Sequence, residues 1–370
     1  MNRNAFGFQE QVVFQLKSLF ESYGYSQYKM NKFEEYDHYA RNKDFLLSES
    51  VITFTDYGGR LMALKPDVTL SIVKNSRDVQ SAQQKLYYTE NVYRVEPGSH
   101  SFREMLQLGL ELIGEVDDLC LLEVLTLAAR SLRSISDSCV LDVSHLGILT
   151  DALTTAGIPQ NRQDTALKLI GEKNLHELKA YCSGCGAADD HVERLIRVVS
   201  SSGSPQYVLP AIRDLVSDTD MVDRLAAIFA AMDGSGVEDV FRFDFSAVDD
   251  IRYYNGLVFK GFVQGLPNSV LSGGQYDNLM RKMHRKSNAI GFAVYVDRLE
   301  RLESDPRSYD VDIVLLYDGT VSMAQVMKYA ANLRESGRTV MVQRHPPEAI
   351  RFRQLIKLWG SEVEIVENNA

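Results

Sequence analysis

The sequence predicts an α+β fold, in which an antiparallel sheet has flanking helices, a helical insertion and a small C-terminal α/β region. The first observation behind this prediction is the segment 85–114, whose polar and apolar residues alternate as in a β-hairpin. The second is the region of about 151–232, where apolar residues recur at helical spacing and strand patterns vanish. After Pro306, short apolar strands alternate with helical segments, which favours βαβ units in a parallel sheet.

Each element follows from a local pattern. A helix over 8–23 has apolar residues at helical spacing and ends at Gly24. Before the insertion we also predict strands at 50–57 and 60–65 across a Gly58-Gly59 turn, a helix from Pro66 to about Asn75, the hairpin at 85–114 and a helix at 117–134. After it we predict strand-rich segments at 241–263, 270–280 and 289–302, a strand at 312–317, a helix at 322–336, a strand at 339–343, a helix at 347–359 and a strand at 363–366. These patterns predict two domains, 1–305 with its insertion at about 151–232, and 306–370.

Composition and charge place the chain among soluble globular proteins. Of its 370 residues, 45% are hydrophobic and 24% are charged, which is ordinary for that class. No apolar run is long enough to cross a bilayer, and the first ten residues lack the apolar stretch of a secretory signal. We therefore expect a cytoplasmic protein with no membrane partner. We also predict no cofactor. The net charge of −10 argues against nucleic acid as a partner.

The chain has four cysteines, too few for a disulfide scaffold of this length. Cys182 and Cys185 form a single CxxC, with His176 and His191 on either side. These four residues could be drawn as a zinc site, but zinc sites usually show two closely spaced ligand pairs. Incidental thiols are the commoner explanation, and we predict no metal.

The second strand of the hairpin carries the strongest functional pattern. Side chains alternate across a strand. One face is therefore formed by Leu106, Leu108, Leu110 and Leu112. Gln107, Gly109 and Glu111 share the other face, where a buried carboxylate is costly unless a partner pairs with it. Gly109 would let a ligand approach the backbone closely. This pattern predicts the floor of a small-molecule site; the alternative is an antiparallel strand with one solvated face.

Several strings together resemble the catalytic core of class II aminoacyl-tRNA synthetases, and within them the histidyl-tRNA synthetase branch. They occur in the expected order between about residues 8 and 305. The strings are FTDYGGRLMALKPDVT (54–69), with Lys65-Pro66-Asp67-Val68-Thr69 for an Arg-Pro-Glu-x-Thr element; the 85–114 hairpin, with Tyr93-Arg94-Val95-Glu96 for motif 2; Ile251 to Phe259, with Tyr253-Tyr254-Asn255-Gly256; and SGGQYDNL (272–279) with GFAVYVDRLERL (291–302) for motif 3.

The resemblance implies a set of histidine-binding residues. Asp67 and Thr69 would hold the α-ammonium group of histidine, and Gln107 would add a further polar contact. Glu111 would accept a hydrogen bond from an imidazole N–H, helped by one of two tyrosines, Tyr253 and Tyr254. The chemistry agrees, because a cationic amine needs carboxylate and hydroxyl acceptors, and a buried carboxylate discriminates in favour of an N–H donor.

Two assignments within this set carry alternatives. Adjacent tyrosines on a strand point to opposite faces, so we expect only one of the pair to line the pocket and favour Tyr254. Arg94 would take the carboxylate of the ligand. Its alternative is a structural ion pair with Glu96 or Glu104.

The chain also departs from the synthetase pattern. Asp249 stands where the family has an arginine that stabilises charge during adenylate formation, and an aspartate there would repel a triphosphate. Tyr295 replaces a glycine beside the nucleotide site, although Arg298 is retained. Residues 309–370 resemble only the first part of an anticodon-binding domain, and their seven Lys or Arg face eight Asp or Glu. We therefore expect no adenylate chemistry and no tRNA grip.

This combination resembles the regulatory subunits of ATP phosphoribosyltransferase, a paralogous branch in histidine biosynthesis. The resemblance implies a chain without catalytic residues of its own, required by a short catalytic subunit and for feedback inhibition by L-histidine. It further implies a hetero-octamer of four plus four chains and a self-dimer through the class II-like core. Two alternatives stay open: a divergent histidyl-tRNA synthetase or aminoacyl transferase, and a scaffold that activates its partner without sensing histidine.

Overall fold

The computed structural model describes residues 7–42, 51–76, 83–95, 101–248, 253–302, 309–360 and 362–369. The chain divides into two compact units, a larger one of Phe8–Leu302 and a smaller one that holds the C-terminal residues from 309 onward. Among the described residues, none of the helices has the length and apolar character needed to span a membrane.

The larger unit is built on a mixed, mainly antiparallel sheet with helices on both faces. Its helices are α1 (Phe8–Ser22), α2 (Tyr36–Arg41), α3 (Val68–Asn75), α4 (Asp118–Ile135), α5 (Leu146–Thr155), α6 (Gln160–Gly171), α7 (Leu175–Gly184), α8 (Asp189–Ser200), α9 (Pro205–Arg213), α10 (Thr219–Ala230) and α11 (Asp277–Lys282). Its strands are β1 (Ser26–Gln27), β2 (Phe33–Glu35), β3 (Thr53–Thr55), β4 (Leu61–Leu64), β5 (Gln84–Val95), β6 (Phe102–Gly114), β7 (Cys139–His145), β8 (Ser202–Gly203), β9 (Phe241–Asp244), β10 (Leu257–Val263), β11 (Leu271–Gln275) and β12 (Asn288–Tyr295). The predicted α+β class is confirmed.

Nine of these strands form one sheet, in the order β1-β5-β6-β12-β11-β10-β7-β9-β8. The predicted hairpin is confirmed as β5 and β6, whose register sets Tyr88 opposite Gly109. On the other side of β6, Glu111 lies opposite Gly291 of β12. A separate three-stranded sheet has the order β2-β4-β3. The polar face of the hairpin therefore belongs to β6, a long interior strand with a neighbour on each side.

Both faces of β6 are covered. Leu108, Leu110 and Leu112 are fully buried in the core with residues of α1 and α4, and each such side chain contributes about 1.5–3 kcal/mol of burial free energy. Leu106, nearer the end of the strand, is only half-buried. On the opposite face, Gln107 and Glu111 are 3% and 2% exposed, so the alternative of one solvated face is wrong for this strand.

The helical region is confirmed, and it begins at Leu146, slightly earlier than predicted. Its apolar side chains, among them Leu149, Leu178 and Leu225, belong to the same hydrophobic core as the sheet. The predicted turn at 200–205 contains the two-residue strand β8, which pairs with β9. These helices therefore pack as part of the larger unit.

The smaller unit contains β13 (Val311–Tyr317), α12 (Met323–Glu335), β14 (Val340–Gln343), β15 (Phe352–Trp359) and β16 (Glu362–Asn368). The sheet order is β14-β13-β15-β16, and only the first three strands are parallel. The helix predicted at 347–359 is wrong, because this segment is mainly β15. Ile356 and Leu358 pack on one face of the sheet, and Leu355 packs on the other. Because both faces carry apolar residues, the alternation expected of a strand is lost and the spacing of apolar residues resembles that of a helix.

Candidate functional site

A cavity lies over the polar face of β6. Its described lining consists of Asp67, Val68, Thr69, Tyr88, Arg94, Gln107, Glu111, Tyr253, Tyr254, Ser272, Tyr276, Gly291, Phe292, Ala293 and Tyr295. The structure thus brings all seven of the site residues predicted from the sequence together around one space. The cavity is narrow, about 50 Å³.

Glu111 is the most deeply buried carboxyl among the described residues that line the cavity. Its carboxyl accepts hydrogen bonds from the Thr69 hydroxyl at 2.7 Å and from the Tyr276 hydroxyl at 2.6 Å. Burial raises its pKa to about 8, against the two hydrogen bonds, which act to lower it. A neutral, protonated carboxyl therefore predominates at neutral pH, and it can exchange its proton with a ligand near physiological pH.

Gly291 makes the position of Glu111 possible. A Cβ at Gly291 would lie 1.9 Å from Oε2 of Glu111 and 2.4 Å from the backbone oxygen of Leu110. A side chain there would have to push the carboxyl out of its place. Glycine at this point of β12 is therefore required by the carboxyl, and the requirement is steric.

Asp67 joins the start of α3 to the cavity. Its Oδ1 accepts a hydrogen bond from the backbone N–H of Leu70 at 2.9 Å, and this N-cap starts the helix at Val68, two residues after the predicted start at Pro66. Its Oδ2 lies 3.6 Å from a terminal nitrogen of Arg94. Burial raises the pKa of Asp67, and Arg94 opposes this effect.

Arg94 is anchored at two points. Its Nε donates to the backbone oxygen of Pro66 at 2.8 Å, and its guanidinium pairs with Asp67. The alternative ion pair with Glu104 is wrong, because the described partners of Glu104 are Asn91 and Tyr93. Glu96 lies outside the described residues. Arg94 therefore presents its charge at the cavity next to a carboxylate.

Both Tyr253 and Tyr254 line the cavity, so the expectation that only one of them does is wrong. The expectation assumed a strand, but β10 begins only at Leu257 and the two residues lie before it. Their rings meet edge to face with centroids 4.8 Å apart, and Tyr253 also contacts the ring of Tyr276 at 5.8 Å. Burial raises the pKa of Tyr253 and of Tyr276 far above the ordinary value, so both phenols stay neutral.

Sequence reasoning missed Tyr88, Ser272 and Tyr276 as lining residues. The hairpin register could have identified Tyr88, because this residue lies opposite Gly109 and its side chain is on the same face of the sheet. Its hydroxyl would be 2.5 Å from a Cβ at Gly109, so the space over this glycine is filled by a tyrosine of the protein and not by a ligand. Tyr276 follows β11 in the motif 3 string, and no local sequence pattern predicts its hydrogen bond to Glu111.

Tyr295 and Arg298 occupy the neighbourhood where the synthetase pattern places a nucleotide. The hydroxyl groups of Tyr295 and Ser272 are 2.5 Å apart, and the Arg298 guanidinium lies 4.1 Å from the centroid of the Tyr295 ring. Arg298 also bonds to the backbone oxygen of Ser269. The guanidinium is thus engaged within the protein. Asp249 lies outside the described residues.

Within the described ranges, no group of three or more His, Cys, Asp or Glu side chains is placed to hold a metal ion. Cys182 is buried and Cys185 half-buried, and both are free thiols. The residues that line the cavity around Glu111 offer hydroxyl groups, an amide and carboxyl groups that are not clustered as metal ligands. These groups suit an organic ligand.

The sheet and the cavity on its motif 2 hairpin define a protein of the class II aminoacyl-tRNA synthetase type. The family model of histidyl-tRNA synthetase matches residues 3–299, and the chain belongs to this family.

Relatives carry two kinds of name. The ATP phosphoribosyltransferase regulatory subunit of Oceanobacillus iheyensis is 25% identical over 368 residues, which cover 97% of this chain and 88% of the relative. The histidine–tRNA ligase of Methanocaldococcus jannaschii is 26% identical over 340 residues, which cover 89% of this chain and 80% of that one. The resemblance to ATP phosphoribosyltransferase regulatory subunits is confirmed, and the family includes ligases as well.

Solved structures support the fold. A protein of Bacillus halodurans, named an ATP phosphoribosyltransferase regulatory subunit/histidyl-tRNA synthetase, has a TM-score of 0.78 at 22% identity, covering 96% of this chain and 95% of its own. A chain of the ATP phosphoribosyl transferase (HisG:HisZ) complex of Thermotoga maritima has a TM-score of 0.61 at 22% identity, covering 77% of this chain and 96% of its own. At these identities the likeness establishes the fold alone.

Proposed function

We propose that this chain is a non-catalytic regulatory subunit of ATP phosphoribosyltransferase that binds L-histidine in the cavity around Glu111. The observation that carries the proposal is the buried Glu111 carboxyl, held by Thr69 and Tyr276 beside the Asp67–Arg94 pair. An amino acid with a polar ring offers further hydrogen bonds and opposite charges to these groups, whereas an apolar ligand offers none.

Each polar part of histidine has a partner in this arrangement. The imidazole lies against Glu111, the α-ammonium group against Asp67 and Thr69, and the α-carboxylate against Arg94, while Gln107 adds a further polar contact. Because the pKa of Glu111 is raised to about 8, its carboxyl can donate to a neutral imidazole nitrogen or accept from an imidazole N–H. One proton is then shared between ring and carboxyl.

Ligand binding couples to movement of the protein. The cavity volume of about 50 Å³ is well below the roughly 150 Å³ that accommodates a benzene ring. We therefore expect the tyrosines of the lining to move apart when histidine enters. Histidine would then bind more tightly to the protein with the tyrosines apart than to the protein with the tyrosines together. This difference couples histidine binding to the state of a partner chain, with a coupling free energy of about 1–3 kcal/mol.

Three features argue against activity as a synthetase, two of them against adenylate formation and one against RNA binding. In the sequence, Asp249 stands where the synthetase pattern has an arginine, and an aspartate would repel a triphosphate. The Arg298 guanidinium lies over the ring of Tyr295, so its positive charge is engaged within the protein and is not free to bind a nucleotide. In the smaller unit, residues 309–370 carry more acidic than basic side chains, which does not favour RNA.

The partner in this proposal is a short ATP phosphoribosyltransferase catalytic subunit, which requires this chain for activity, in an assembly of four plus four chains. The similarity to a chain of the Thermotoga HisG:HisZ complex supports a partner of this kind. A self-dimer through the larger unit fits an exposed apolar patch on the three-stranded sheet. This patch contains Phe33 and Phe54, which are 50% and 39% exposed, with the two rings 5.6 Å apart.

Two measurements test the proposal. Activity of the co-purified catalytic subunit is expected to depend on this chain and to fall when L-histidine is added. Calorimetry is expected to show histidine binding by the wild type and a loss of about tenfold or more in Glu111→Ala. Equal binding by the variant contradicts the assigned pocket.

The competing function is a divergent histidyl-tRNA synthetase, which the ligase names among the relatives favour. An ATP–pyrophosphate exchange assay separates the two. Robust histidine-dependent exchange would show adenylate formation and overturn the regulatory proposal, whereas binding without exchange supports it.

A further inference from the structure

A second cavity lies in the larger unit and shares none of its described lining with the first. Its volume is about 280 Å³, which exceeds the roughly 150 Å³ that accommodates a benzene ring. Leu121 of α4 and Leu225 and Ile228 of α10 line it, and all three are buried. The cavity therefore offers an apolar floor large enough for a small organic molecule.

Its mouth is acidic. Asp218 and Asp220 line it at the start of α10, and Oδ1 of Asp218 caps the helix by accepting from the N–H of Met221 at 3.0 Å. Arg224 also lines the cavity one turn further along α10, and its guanidinium is paired with Asp118 of α4. Because Asp118 neutralises Arg224, the two aspartates leave a net negative charge at the mouth, which attracts a cation.

His145 forms another part of the wall. It ends β7 and lines the cavity, and its Nδ1 is buried without a hydrogen-bond partner among the described residues. Burial, with a contribution from nearby Arg224, lowers its pKa to about 4. At neutral pH the imidazole is uncharged, so it does not repel a cation. Gln275 of β11 adds an amide to the polar lining.

We propose that this second cavity binds a small organic ammonium compound with a branched apolar body. The ammonium group lies at Asp220 and Asp218, and the body packs on Leu121, Leu225 and Ile228. A simple amine and a free apolar amino acid both carry this chemistry. The site is independent of the histidine proposal, because it uses a different set of residues.

Three compounds with the same branched body test the proposal by calorimetry on the intact chain. These compounds are 3-methylbutylamine, L-leucine and 4-methylpentanoate, which carry an ammonium group, a zwitterion and a carboxylate. The amine is expected to bind about tenfold or more tightly than the acid. Tighter binding of leucine than of the amine identifies an amino acid as the source, and the reverse order identifies a simple amine. No binding by the amine, or equal binding by the acid, overturns the proposal.

Variants locate the compound. Asp220→Asn removes one charge of the mouth and is expected to weaken amine binding by about five- to tenfold. Met221→Phe is expected to fill the space and abolish binding, with folding checked by circular dichroism. The matched control is Asp223→Asn on the same helix, because Asp223 pairs with Arg213 and does not line the cavity. Equal weakening by this control, or weakening by Glu111→Gln in place of Asp220→Asn, overturns the assignment.

Discussion

At the scale of single residues, the candidate site depends on one carboxyl that is costly to bury. Glu111 lies buried on an interior strand of the sheet, and two hydroxyl donors only partly offset its desolvation. A carboxyl in such surroundings is retained at the expense of stability. This cost has a pH dependence that can be measured.

The first prediction concerns Glu111→Gln. The pKa of Glu111 is raised in the folded state, so its contribution to the free energy of unfolding is fully present below pH 4.5 and is lost as the pH rises to about 8. The amide has no such titration. The stability of the variant relative to the wild type should therefore increase between pH 5 and 8, by about 3–5 kcal/mol. Urea unfolding of both proteins at several pH values checks this, and parallel pH profiles would contradict it.

The second prediction concerns the glycine that faces this carboxyl. Gly291→Ala would set a Cβ 1.9 Å from Oε2 of Glu111, so we expect a loss of about 1–3 kcal/mol in stability and a loss of histidine binding. Gly184→Ala is the matched control. A Cβ at Gly184, the last residue of α7, meets nothing within 4 Å. Thermal unfolding should show a drop only for the first variant, and equal effects would refute the steric explanation.

At the scale of elements, Asp67 has two roles at the start of α3. The carboxyl caps the helix through Leu70 and also faces Arg94 at the cavity. An N-cap contributes about 0.5–2 kcal/mol, and a charge at the cavity contributes to binding, so the two tasks can be separated by choice of substitution.

The third prediction uses that separation. Asp67→Asn keeps a capping oxygen and removes the charge, so stability should change little while histidine affinity falls about tenfold. Asp67→Ala should lose the affinity and about 1 kcal/mol of stability as well. Calorimetry and urea unfolding measure the two effects. If the asparagine variant binds histidine as tightly as the wild type, Asp67 does not hold the ammonium group.

Local sequence patterns predict some elements of this fold and miss contacts between elements. Alternation along β6 predicts the buried leucines and the inward polar face, because a strand has a fixed period. It does not predict Tyr276, whose contact with Glu111 depends on pairing between β6, β12 and β11. Local pattern also fails at β15, where the sequence predicts a helix. The strand period is obscured there because both faces of the sheet are covered.

At the scale of the whole molecule, the larger unit has the core of its family. The matched family model and the relatives place the larger unit among histidyl-tRNA synthetase-like proteins. In our proposal, the amino-acid cavity of that core serves sensing, and assembly with a catalytic chain supplies the reaction. Assembly is therefore the property to test at this scale.

The last prediction concerns the proposed self-dimer. Phe33 and Phe54 form an edge-to-face pair that is half exposed on the three-stranded sheet, and apolar surface of this kind is usually covered by a partner. The double variant Phe33→Asp/Phe54→Asp should sediment as a monomer at concentrations where the wild type is a dimer, because two carboxylates cannot be buried in an apolar interface without a partner. Tyr207→Asp is the control, since Tyr207 on α9 is 73% exposed and lies on the helical side of the larger unit. A dimer that survives the double variant would show that copies of the chain meet through another surface.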